Sequence, residues 1–189
     1  MKQITNCKLC DISLRRKNIV NGSGDIESGI MFIGESPGYK EDKHGMPFIG
    51  KSSILFNTML DLIGLYRSNV YVTNVLKCKV PNGRSPFAKE ISNCKPNLQY
   101  EINVIKPKII ILLGSVALNT YFGTTTLKMN KFKGRIIKHR NRYIMAIYHP
   151  SYVLKNSHNK SLLLSYIHSF KVIGLMYKYL INALITTKI

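Results

Sequence analysis

Carboxylates are scarce in this 189-residue sequence. Nine Asp and Glu face 28 Lys and Arg, a formal charge of +19. Glu101 is the last acid, and residues 102–189 carry fourteen Lys or Arg and no carboxylate. A surface so one-sided repels itself unless a polyanion shares it, so nucleic acid is the leading partner class. Codon bias in an AT-rich genome, which inflates Lys, Asn and Ile, is the plain alternative. Long apolar runs are also missing. The tail "VIGLMYKYLINALI" is only fourteen residues long, contains Lys178 and falls short of a bilayer span. The opening "MKQITNCKLC" lacks the apolar stretch of a secretory signal. These absences predict a soluble intracellular protein with no membrane segment. Its four cysteines then read as metal ligands rather than disulfides. No repeat, linker or low-complexity stretch divides the chain, so residues 1–189 are expected to form one domain.

Four short apolar runs read as strands: "IMFIG" (30–34), "VYVTN" (70–74), "KIIILLG" (108–114) and "YIMAIYH" (143–149). The third shows no alternation, as expected of a strand covered on both faces. Helical patterns lie between them. Residues 52–65 place Leu55, Met59, Leu62 and Ile63 on one face. Residues 87–105 are interrupted by Pro96, which marks a break or a fresh start. Residues 115–123 close on Gly123, and 161–185 form a terminal helix. "KGRIIKHRNRYIMAIYH" reads as a hairpin turning at His139-Arg140-Asn141. The alternation predicts a three-layer α/β/α fold around a mainly parallel four-stranded sheet. Three strands end in polar or glycine-bearing loops, where open α/β sheets bind ligands.

Those strand-end segments are "GESPGYKEDKHGMPFIGKS", "TNVLKCKVPNGRSP" and "YHPSYVL". With "CKLC" and Cys94 they resemble, in order, the motifs of the family 4 uracil-DNA glycosylases, the iron–sulfur type. The resemblance runs from Cys7 to the terminal helix. Departures are mild: Ser53-Ile54 follow "PFIGKS" where a small residue and glycine are usual, and "VPNGRSP" lacks a Pro-Pro pair.

The cysteines form one C-x2-C clamp, Cys7 and Cys10, and a looser pair, Cys78 and Cys94, with fifteen residues between them. A zinc ribbon would usually offer a second tight knuckle. Zinc, four independent thiols and a [4Fe–4S] cluster all remain open on spacing. The resemblance implies the cluster, acting structurally as an N-terminal clamp.

Hydrolysis of an N-glycosidic bond builds positive charge on the sugar and negative charge on the departing base. His149 is the candidate donor to uracil O2. Asn74, with a donor and an acceptor on one amide, suits the O4 and N3–H edge and would reject cytosine. Phe48 offers a stacking face, and Gly34 and Gly38 allow close backbone approach. With no acid beyond Glu101, the sugar's carboxylate has to come from the loop holding Glu35, Glu41 and Asp42. Where the related family 1 enzymes place an aspartate, this chain has Ser36, which is assigned to substrate binding. The resemblance therefore implies Glu35 for water positioning, with Glu41 as a pocket wall or second acid.

Ser151 is expected to bond a phosphate. Tyr152 and Leu154 are candidate wedges filling the gap left by an extruded base. Lys51, Lys77, Arg84, Lys133, Arg135 and Lys138 are expected to track the DNA backbone, giving salt-dependent binding without sequence preference. The expected activity is excision of uracil from DNA by a monomer, leaving an abasic site for base excision repair. Two alternatives stand beside it. One is a DNA-binding accessory of replication or repair proteins; the other is a glycosylase for a different deaminated base.

Overall fold

The computed structural model describes residues 2–182. Six strands form one mixed sheet: Ser23–Gly24 (β1), Ile30–Gly34 (β2), Tyr71–Asn74 (β3), Ile109–Leu113 (β4), Ile136–His139 (β5) and Arg142–Ile147 (β6). Their order is β1-β3-β2-β4-β6-β5. The four strands legible as apolar runs pair in parallel at its centre. The expected mainly parallel four-stranded sheet is corrected by an antiparallel strand at each edge. β1 has only two residues, too few to leave a pattern. β5 folds back on β6 through Arg140 and Asn141, both at positive φ (47° and 64°), the geometry of a tight primed turn.

The α-helices are Tyr39–His44 (α1), Lys51–Leu62 (α2), Ala88–Ile105 (α3), Ser115–Phe122 (α4), Met129–Phe132 (α5), Pro150–Lys155 (α6) and Lys160–Tyr177 (α7). Strand alternation sends side chains into two cores. Ile30, Phe32, Ile109 and Ile111 join Phe56 of α2, Val153 of α6 and Phe170 of α7. Met31, Ile33, Ile110 and Leu112 meet Leu98 and Ile102 of α3, Ala117 and Leu118 of α4, and Ile12. Every residue of β2 and β4 is buried, so both strands are held from two sides.

Three helix expectations change. α2 turns Ser53, Phe56, Met59 and Leu60 inward. Phe56 packs edge-on to Phe32, with ring centres 5.1 Å apart, and this rotation leaves Leu62 half exposed (51%). α3 runs through Pro96, which sits on an exposed face, and ends at Lys106 in the left-handed region (φ 50°). α7 gives way to a π-helical turn, Lys178–Asn182. Residues 183–185 of the expected terminal helix lie outside the described residues.

Candidate active site

Because β2, β3, β4 and β6 are parallel, their carboxyl ends open at one edge of the sheet. Gly34 ends β2 in register with Asn74, which ends β3. A methyl group on Gly34 would collide with Asn74 Oδ1 and come within 3.0 Å of Phe48 Cζ and 3.5 Å of His149 Nε2. Four expected residues from three separate segments therefore surround one point. Asn74 is 4% exposed, and its side-chain amide has no hydrogen-bond partner among the described residues. A rigid amide with donor and acceptor both free has the hydrogen-bonding capacity to pair with the edge of a heterocycle.

His149 precedes α6 and caps it. The Ser151 backbone N–H donates to His149 Nδ1 at 3.2 Å, and Ser151 Oγ lies 2.8 Å from the same atom. A backbone N–H can only donate, so Nδ1 accepts and the neutral ring carries its proton on Nε2. Nε2 is the atom turned toward Gly34. Removal of the ring from water lowers its pKa to about 4, against a smaller opposing pull from Glu41. At neutral pH it is an uncharged donor. Ser151, expected on phosphate, instead holds this histidine. The sequence alone does not mark Gly114 as a site residue. At φ 91° it sits where an added Cβ would lie 3.4 Å from His149 Cβ, and its signal was a glycine closing the apolar run of β4.

The acids of the loop separate by partner. Glu41 Oε1 accepts from the backbone N–H groups of Ile49 (3.0 Å) and Gly50 (2.7 Å), which makes it a loop fastening. Asp42 Oδ1 accepts from Lys17 N at 3.0 Å and ties down the N-terminal segment. Of the three, only the Glu35 carboxylate has no ion-pair or hydrogen-bond partner among the described residues. Partial burial raises its carboxyl above the ordinary value. Ser36 beside it is half-buried and Gly38 is exposed at the start of α1. Phe48 adopts φ 57°, an uncommon backbone for a bulky residue, and packs 5.2 Å from the Phe56 ring. The left-handed backbone aims its ring at Gly34.

The expected DNA-contacting set divides. Lys51 is exposed at the start of α2. Tyr152 (48% exposed) and Leu154 (40%) stand on α6 beside His149. The Tyr152 ring stacks on Tyr148, and the Lys133 ammonium lies 5.1 Å from the Tyr148 ring centre. Arg135 is exposed at the near end of β5. Three expectations are corrected. Lys77 is 2% exposed and buried against Glu101. Arg84 forks onto both oxygens of Glu90 at 2.9 and 2.6 Å and covers the Phe87 ring, so its planar donors are already engaged. Lys138 pairs with Tyr143, near the amino end of β6, on the far side of the sheet from His149.

Cys7, Cys10, Cys78 and Cys94 line one cavity beside the Asp11–Leu14 turn. The Arg16 guanidinium is 3.6 Å from Cys78 Sγ and also donates to the Cys7 carbonyl. The Lys77 backbone N–H points at Cys94 Sγ, 3.4 Å away. Burial raises the Cys78 thiol to about 11 and also raises Cys94. Among the described residues no three of His, Cys, Asp and Glu are close enough to hold a single metal ion. Four sulfurs lining one largely apolar pocket, with N–H donors aimed at Cys78 and Cys94, suit a multi-iron cluster, which spans more widely spaced thiolates than one ion does.

The family model of the Uracil DNA glycosylase superfamily matches residues 21–171. The chain is 35% identical over 160 residues to the type-4 uracil-DNA glycosylase of Thermotoga maritima, covering 84% of this chain and 83% of that one. Its counterpart from Archaeoglobus fulgidus is 36% identical over 181 residues, 92% of this chain and 89% of the relative. A third, from Pyrobaculum aerophilum, is 37% identical over 159 residues, 80% and 81% respectively.

Proposed function

The chain belongs to the uracil-DNA glycosylase superfamily, and from that membership we propose that it hydrolyses the N-glycosidic bond of uracil in DNA. The product would be an abasic site for base excision repair. The observation that carries this reading is the crowding of Asn74 Oδ1, His149 Nε2 and the Phe48 ring around Gly34.

An extruded uracil stacks on Phe48 and presents its O4 and N3–H edge to the Asn74 amide. Neutral His149 donates Nε2–H to O2, where negative charge grows as the bond to the sugar breaks. A neutral donor suits this task, since its proton is still present well above pH 4. The ionised Glu35 carboxylate stabilises the cationic sugar and orients the attacking water. Glu41 serves by holding the loop rather than by touching the sugar. Lys51, Lys133 and Arg135 follow the phosphates, and Tyr152 and Leu154 occupy the space vacated by the base.

Cys7, Cys10, Cys78 and Cys94 would hold a [4Fe–4S] cluster. Its contribution is cohesion: it would cross-link the N-terminal segment to the loop before α3, with no part in bond cleavage.

The test is a labelled oligonucleotide with a single uracil, incubated with the protein and then treated with alkali. Strand scission at uracil is expected. Tight DNA binding with no scission would overturn the reading, and scission confined to another deaminated base would reassign the substrate.

A further inference from the structure

Lys138 lies at the opposite end of the sheet from His149. A cleft of about 190 Å³ opens there between α3, α4 and the β5–β6 turn. Arg142 starts β6 and His149 lies beyond its end, so the cleft stands roughly 20 Å from the glycosylase pocket at ~3.3 Å per strand residue.

Its lining is cationic. Lys95, Arg140 and Arg142 face the cleft with no carboxylate among the lining residues. The ion pairs among the described residues use other cations, Lys77 and Arg84. Thr120 is buried, and its hydroxyl makes no hydrogen bond among the described residues. The Tyr121 hydroxyl lies in the field of both arginines. The His139 ring, 5.7 Å from that of Tyr121 and 5.3 Å from that of Phe122, completes a wall of donors on an aromatic backing. Lys95 Nζ would lie 3.8 Å from a Cβ on Gly123, so it hangs over the carboxyl end of α4. Lys95, Arg140 and Arg142 have no carboxylate partner among the described residues, and their mutual repulsion around one cleft is relieved when an anion enters it.

We propose that this cleft is a second anion site, which takes a phosphoryl group. Two planar guanidinium forks, an ammonium and two hydroxyls match a tetrahedral, multiply charged oxyanion better than a single carboxylate. That phosphoryl group comes either from a free nucleotide or from a backbone segment other than the one under repair.

Amide-resolved NMR titration of the full chain tests this with three probes: inorganic phosphate, thymidine 5′-monophosphate and a uracil-free duplex. Saturable shifts at residues 120–124 and 139–142 are expected with at least one probe. Shifts from the small probes assign a free phosphate or nucleotide; shifts from the duplex alone assign a second backbone contact. The double variant Lys95→Gln/Arg140→Gln changes two exposed side chains, and its unfolding midpoint should match the parent. It should weaken the binding constant about tenfold or more. No saturable shift with any probe, or undiminished binding by the double variant, overturns the proposal.

Discussion

The Lys77 ammonium lies 2.9 Å from the backbone carbonyl oxygen of Asn74 and 2.7 Å from Glu101 Oε2. Glu101 also accepts from Thr73 Oγ1 at 2.7 Å, so a buried charge pair between Lys77, just after β3, and Glu101 of α3 anchors the end of β3 from beneath. The amide proposed to read the base therefore stands on a fully paired ionic support.

Lys77→Met leaves Glu101 charged and uncompensated in the core, and a loss of about 3–5 kcal/mol is expected. Urea unfolding measures it. A phosphate contact would instead lower the salt dependence of DNA binding and leave stability nearly intact, so the two roles separate cleanly.

Gly34→Ala places a methyl against Asn74, Phe48 and His149. Single-turnover excision is expected to fall at least about a hundredfold, the scale of a reacting group displaced by an ångström. The global unfolding midpoint should move far less. A variant of wild-type activity would remove Gly34 from the pocket floor.

His149 predicts a pH-dependent stability. Its pKa is about 4 in the folded chain and about 6.5 when unfolded, so the unfolded state binds more protons between these values. Stability attributable to this group is complete above about pH 6.5 and declines as pH falls toward 4, by at most ~3 kcal/mol. Unfolding at pH 7 and pH 4.5 should show that decline in the parent and a flatter profile in His149→Asn.

Glu35 and Glu41 are separable by pH profile. Glu35 has a raised carboxyl pKa, so kcat/KM is expected to fall on the acid side with a midpoint above the ordinary carboxylate range. Glu35→Gln should lower the rate by about a hundredfold or more and abolish that limb. Glu41→Gln should keep the limb while losing about 1–3 kcal/mol of stability, since two backbone N–H groups lose a charged acceptor.

Metal analysis decides the cysteine cavity. Purified protein is expected to carry about four irons per chain, the content of the proposed [4Fe–4S] cluster, with broad visible absorption. Stoichiometric zinc without iron would sink the cluster assignment. Cys78→Ser should release metal and lower the unfolding midpoint, because the clamp between the N-terminal segment and the 78–94 stretch is cut.

The site was legible where chemistry coincides with a strand end. Gly34, Asn74 and His149 each follow an apolar run, and the parallel pairing that brings them together is implied by alternating strands and helices. The solvent exposure of basic residues was not legible. Lys77 reads as one more surface cation until Glu101, 24 residues later, is found beside it, and Arg84 is claimed by Glu90 in the same way. Lys138 belongs to a basic run, but the direction of β5 carries it away from the pocket. Ser151 reads as a phosphate ligand because nothing in "HPS" reveals that its N–H turns back onto His149. Leu62 failed because Phe56, packed on Phe32, decides the rotation of α2.

Glu41 has one further consequence. Its carboxylate grips the amides of Ile49 and Gly50, so the chain from Glu41 to Gly50 is closed into a ring that carries Phe48. Such a ring yields as a unit: both amide contacts must break before the aromatic plate can swing out. The Phe48 ring is thus kept rigid by a carboxylate that, on the proposed reading, holds backbone amides rather than the base or the sugar.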